Sequence, residues 1–206
     1  MRKNVSVLLL AVMCSAVPLL ANSIPAVTFT QLTGENLANG PFTLGWQFTV
    51  SQTIAVTSLG VFDSSQDGLA ASHDVGIWNS AGSLMGSTTV AAGTADPLVN
   101  QFRYSAVSFT LTPGTYEIGA LWLDGADPNT FPGDVVTLTT APAITFNSSS
   151  YIGGGTLADP TSTAGTQPAY FGPNFLYAST PEPGTLLLLG SGLLGAVGLV
   201  RRKRSL

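Results

Sequence analysis

The chain has 206 residues, one cysteine, and a formal charge of −4. That total hides a stronger asymmetry, because six of the seven basic residues lie in the first three and last six positions. Residues 24–180 carry ten acids against Arg103 alone, a formal charge of −9, which excludes nucleic acid as a partner and favours divalent cations over anions.

The N-terminus reads as a secretory signal peptide over residues 1–23. Arg2 and Lys3 precede an apolar stretch from Val5 to Leu20, and Ala21-Asn22-Ser23 supplies the small residues of a signal peptidase site, cut after Ser23. Cys14 lies inside this stretch, so the exported part has no thiol for disulfide or thiolate metal chemistry.

Residues 24–178 are rich in Thr, Ser, Val and Gly and show short alternating runs between turn signals. The fold class expected is all-β: a single antiparallel β-sandwich, jelly-roll-like, with no repeat to suggest a β-helix. Expected strands cover 26–32, 44–50, 54–62, 74–78, 84–90, 102–111, 115–123, 135–140, 143–146 and 174–178. Val107, Phe109 and Leu111 alternate with Ser108 and Thr110, and Pro113-Gly114 predicts a hairpin into Tyr116, Ile118, Ala120 and Trp122. Asn79 to Gly82 predicts a second hairpin. Residues 147–173, with Ser148-Ser149-Ser150 and Gly153-Gly154-Gly155, read as a long loop pinned at Tyr151 and Tyr170-Phe171.

Few residues in this body can do chemistry. His73 is its one histidine, without a Gly-x-Ser-x-Gly elbow or a second imidazole, so neither a triad nor a zinc site is expected. Ten acids guarantee some carboxylate pair, the minimum for glycoside hydrolysis, but do not say which. Two acidic loops, 63–74 and 124–134, offer oxygen ligands for calcium, the better set being Asp124, Asp127, Asn129 and Asp134; the competing reading is plain turns. Thr28/Thr30 and Thr137/Thr139 are too few for an ice-matching lattice. Trp46, Trp78 and Trp122 sit in apolar alternation and are expected in the core rather than in a sugar groove. Arg103 should find a carboxylate, Asp63 or Asp74.

The tail, residues 179–206, has three parts: the turn Pro181-Glu182-Pro183-Gly184, an apolar run over 185–200, and the basic cluster Arg201, Arg202, Lys203, Arg204. Sixteen residues of helix span about 24 Å, short of the roughly 30 Å hydrocarbon core, so a transmembrane sorting helix would need snorkelling or thinning. The basic cluster stays cytoplasmic and places everything before it outside.

In this order, Pro181-Glu182-Pro183, the apolar run and the arginine cluster resemble the PEP-CTERM sorting signal of Gram-negative bacteria, also catalogued as the C-terminal domain of some ice-binding proteins. The resemblance implies a membrane-anchored precursor and an exosortase-like membrane enzyme that acts near the Pro-Glu-Pro turn and passes the protein to the cell surface or its polysaccharide. The runs Leu44-Gly45-Trp46-Gln47-Phe48, Gly60-Val61-Phe62-Asp63, His73-Asp74-Val75-Gly76-Ile77-Trp78 and Tyr170-Phe171-Gly172-Pro173-Asn174-Phe175 resemble an uncharacterised secreted β domain that precedes such tails, and imply no activity. The expectation is a non-enzymatic, exported surface or extracellular-matrix protein, polysaccharide-associated. The alternatives are a secreted polysaccharide hydrolase and an ice-binding or adhesive protein.

Overall fold

The computed structural model describes residues 23–31, 36–37 and 40–179. The signal peptide, the sorting helix and the motif residues Pro181 to Arg204 lie outside them. The strands are β1 Ile24–Pro25, β2 Val27–Gln31, β3 Asn36–Leu37, β4 Phe42–Val50, β5 Ile54–Phe62, β6 His73–Asn79, β7 Leu84–Val90 and β8 Leu98–Val99. There follow β9 Phe102–Leu111, β10 Gly114–Trp122, β11 Pro128–Asn129, β12 Val135–Thr140, β13 Ile144–Gly153, β14 Ser162–Gly165 and β15 Pro173–Ser179. The described chain is all-β. Among the described residues no helix is long and apolar enough to cross a membrane.

Two larger sheets carry the fold, one in the order β1-β15-β5-β9-β8 and one in the order β14-β13-β4-β10-β6-β7, with small ribbons β12-β2 and β11-β3 beside them. All the pairings are antiparallel. The core lies where side chains of the two sheets meet. Trp46 on β4 stacks on Phe175 of β15 at 6.1 Å and 14°, and also meets Phe48 at 5.1 Å and Phe171 at 5.6 Å. Each such pair is worth about 0.5–1.5 kcal/mol beyond the area it buries. The Trp46 indole N–H donates to the Pro173 carbonyl at 2.9 Å, so its one polar atom is satisfied inside the core.

The hairpin expected at Asn79 to Gly82 is present between β6 and β7. Asn79 Oδ1 accepts the N–H groups of Ala81 and Ser83, both at 3.0 Å, and Gly82 takes φ +74° at the left-handed position. The hairpin expected at Pro113-Gly114 is not. β9 pairs with β5 and β8, whereas β10 pairs with β4 and β6, so this turn carries the chain from one sheet to the other. Alternation names the buried face of a strand but not its neighbour, and a crossing between facing sheets has the same pattern as a hairpin. The Tyr116 hydroxyl donates to the Thr112 carbonyl at 2.9 Å and fixes the crossing, the arrangement known as a tyrosine corner in β-sandwiches.

The long loop expected over 147–173 is also corrected. β13 continues to Gly153 and β14 occupies Ser162–Gly165. Ser149 is fully buried, donating to the Gln167 and Ala169 carbonyls and accepting the Ala169 N–H, so its hydroxyl bonds backbone that an apolar residue would leave unpaired. The pins at Tyr151 and Tyr170-Phe171 are real contacts: Tyr151 meets Tyr170 edge-on, and Phe171 is in the core.

Two tyrosine-to-phenylalanine changes should move stability in opposite directions. Tyr116→Phe removes a bond that fixes the crossing and should cost about 1 kcal/mol in urea unfolding. Tyr104 is 2% exposed and its hydroxyl meets no partner among the described residues. Tyr104→Phe should therefore leave stability unchanged or raise it.

Candidate functional site

The paired sheets have two dissimilar ends. At one lie the loops that follow β5 and β10, which hold Asp63, Asp67, Asp124, Asp127 and Asp134, together with Asp74 and Asp96. Arg103, placed on β9 opposite Val61, turns its guanidinium into the first loop. Its Nε donates to Asp63 Oδ2 at 2.8 Å, and its terminal nitrogens donate to the carbonyls of Asp96 at 3.3 Å and Gln66 at 3.0 Å. Asp63 Oδ2 also accepts the Gly68 N–H at 3.0 Å. Arg103 and Asp63 are both buried. Of the two partners expected for Arg103, the structure gives Asp63.

A second buried pair ties the two acidic loops together. Asp127 accepts the N–H of Ala70 at 2.8 Å, the N–H of Ala71 at 2.8 Å, and His73 Nε2 at 3.0 Å. Burial raises the proton affinity of Asp127, but the bonds from His73, Ala70 and Ala71 together outweigh it and hold the carboxyl below its ordinary range. His73 Nδ1 faces the Leu121 carbonyl at 2.8 Å, an atom that can only accept, so Nδ1 carries a proton. Nε2 faces the Asp127 carboxylate. His73 is thus a buried clamp, packed at 4.9 Å on Trp122, and not a catalytic base facing a cleft.

The side chains expected to hold calcium carry other bonds. Asp127 points at His73, exposed Asp124 caps the Ala126 N–H at 3.1 Å, Asp134 caps the Phe131 N–H at 2.7 Å, and Asn129 Oδ1 takes the Thr130 N–H at 2.7 Å. Asp124, Asn129 and Asp134 bond amides of their own loop, and Asp127 bonds His73 and two amides of the other. Among the described residues no group of three or more His, Cys, Asp or Glu side chains is placed to hold a metal.

A different pair of acids was not singled out by the sequence. Glu117 lies on the outer face of β10, beside Gln47 of β4 and Trp78 of β6. Gln47 Nε2 donates to its Oε1 at 2.8 Å and Ser150 to its Oε2 at 2.9 Å. Opposite lies Asp159, and the two line a cleft of about 240 Å³ with Gln47, Asn79, Ser80 and Thr161. Gly119 builds it: a Cβ there would stand 2.6 Å from Thr43 Cγ2 and 3.2 Å from Pro160, so only glycine lets residues 158–161 lie flat on the sheet. The Ala158 N–H to Thr43 Oγ1 bond, 3.2 Å, holds that segment down. Burial is the main cause that raises the proton affinity of both acids, and Asp159 adds a repulsive charge to Glu117. Asp159 Oδ1 is buried and meets no donor among the described residues.

The aromatic and threonine candidates are placed as follows. Trp46 and Trp122 are fully buried and Trp78 is 5% exposed, its ring lying over Gly76, so none of the three offers a face to a sugar. Thr28 pairs with Thr139 and Thr30 with Thr137 on the β2-β12 ribbon, which makes one patch of four threonines where the sequence showed two separate pairs.

The other end of the sheets is where β15 finishes, at Ser179, paired with Ile54 of β5. Residues 179–204 match the PEP-CTERM protein-sorting motif. No curated protein and no solved structure matches the chain. The PEP-CTERM match begins on the last residue of the last strand, so sheet and sorting signal abut without a linker. The motif implies export and a membrane-anchored precursor in a Gram-negative bacterium, processed by an exosortase-type membrane enzyme.

The two clamps give measurable consequences. Arg103→Met leaves Asp63 buried without its cation and should cost about 3–5 kcal/mol, part of which Asp63→Asn in the same chain should restore. Asp127 has a folded proton affinity below that of the unfolded chain, so it stabilises the fold above about pH 4 and loses that contribution as pH falls through its lowered folded value. Asp127→Asn should therefore be much less stable than the parent at pH 7, with the gap narrowing below pH about 4 in a urea series.

Proposed function

We propose that residues 24–178 form one jelly-roll-like β-sandwich, exported through the signal peptide and displayed without enzymatic activity at the cell surface or in the extracellular polysaccharide. One observation carries this reading: the PEP-CTERM motif starts on the final strand, so a cut near Pro181-Glu182-Pro183 frees every described strand intact. His73, the one histidine that a catalytic triad could have used, is buried against Asp127 and closes loops. A −9 body suits a hydrated polysaccharide matrix, in which it stays soluble and repels anionic surfaces. The test is intact mass of the surface pool from a host that carries an exosortase. Chains ending near Pro183 are expected; a pool retaining Leu206 would overturn the sorting step.

A second reading, contact with or hydrolysis of polysaccharide, is favoured by the Glu117/Asp159 cleft. Two carboxyls of raised proton affinity facing one opening are the minimum equipment for glycosidic acid–base chemistry. Reducing-end release from the host's own exopolysaccharide, abolished in Glu117→Gln, would establish it. No release from either protein would return the cleft to a surface feature.

A further inference from the structure

The position of every described acid relative to Ser179 carries an inference about how the precursor stands on its membrane. The register fixes which turns share that end. Ser179 pairs with Ile54, Ile54 with Leu111, and Val50 with both Gly114 and Ile144. Residues 51–53, 112–113 and 141–143 therefore surround the point where the sorting motif begins, and none of them is charged. Phe62, Phe102, His73 and Trp122 mark the opposite end, and beside them lie Asp63, Asp67, Asp74, Asp96, Asp124, Asp127 and Asp134. Two described acids lie lower down. Glu117 is three residues above Gly114 and bonded on both oxygens, and Asp159 lies by the Gly82 turn. Both face the outer side of the six-stranded sheet, Asp159 beside the turn that joins β6 to β7 toward the Ser179 end.

Lengths decide what this means. From Ser179 to Thr185, where the apolar run begins, six residues reach at most about 20 Å fully extended. That span must also cross a headgroup layer of about 5–7 Å. The neutral end is thus tethered close to the lipid surface. β5 has nine residues, so the acid end stands about 30 Å further out, well beyond the roughly 8 Å over which charge is felt at physiological ionic strength. Inverted, the same body would press a net excess of carboxylates, with Arg103 the one fixed cation among them, toward anionic headgroups.

We propose that the end formed by residues 51–53, 112–113 and 141–143 is a membrane-facing surface, which seats the precursor upright on anionic lipid with the acid end outward. This rests on the sorting reading, since it needs the tail inserted. The surface has no cation to bind lipid tightly. It acts by lacking repulsion, and it leaves Pro181-Glu182-Pro183 at the lipid boundary where a membrane-embedded protease works.

The experiment uses the full chain with Cys14→Ser, inserted in phosphatidylethanolamine–phosphatidylglycerol vesicles that carry a headgroup nitroxide. Single cysteines, each labelled with a nitrobenzoxadiazole dye, are placed at the exposed positions Gln52→Cys and Thr112→Cys at the neutral end and Ala126→Cys at the acid end. Quenching severalfold stronger at 52 and 112 than at 126 is expected. Adding Glu at whichever of 52 and 112 is unlabelled should weaken it in phosphatidylglycerol vesicles and not in phosphatidylcholine ones. Equal quenching at both ends, or stronger quenching at 126, in chains that float with the vesicles would overturn the orientation and leave the sorting reading standing. Chains that do not float and are unquenched everywhere would overturn both.

Discussion

A body with ten acids and one arginine cannot pair its charges, so it must satisfy its carboxylates one at a time from other donors. Eight of the nine described acids do this. Asp63 takes Arg103 and an amide, Asp127 takes His73 and two amides, Glu117 takes an amide side chain and a hydroxyl, and Asp67, Asp74, Asp96, Asp124 and Asp134 each take a nearby hydroxyl or backbone N–H. Asp159, with its buried Oδ1 unmatched, is the exception, and it is the one that marks a cleft. Charge-assisted bonds of this kind are worth more than neutral ones, which is how loops dense in like charge stay closed against their own repulsion.

The acid end depends on two side chains from outside its loops. Arg103 comes from β9 and His73 opens β6, and each is held by a core strand, so the geometry of the loops follows that of the sheets. Loop 63–72 is fixed at Asp63 by the first and at Ala70 and Ala71, through Asp127, by the second pair. The far end needs no such device. Its turns are short and uncharged, and the Tyr116 hydroxyl holds the crossing from β9 to β10.

Much of the strand content was legible because alternation and turn residues act locally. β5, β7, β9 and β12 begin and end where the pattern does. What failed was partner choice, as at Pro113-Gly114, because pairing is set by which faces meet and not by the strand itself. The serine run 148–150 was misread since hydroxyls signal loops by polarity, whereas here they are strand donors and acceptors to buried backbone and to Glu117. Arg103 with Asp63 was accessible from scarcity alone. Asp127 with His73 was not, because 54 residues separate them and both are ordinary loop or edge residues in sequence. The Glu117/Asp159 cleft depends on the missing side chain of Gly119, which no motif advertises.

The central claim is that the acid loops are closed by the chain's own donors. Thermal unfolding of the protein in calcium, in EDTA, and in sodium at matched ionic strength tests it most directly. The account predicts the same melting temperature in calcium and in EDTA, with sodium acting only through general screening. A calcium-specific rise, growing with concentration toward the roughly 2.7 kcal/mol that a hundredfold excess over the dissociation constant supplies, would contradict it.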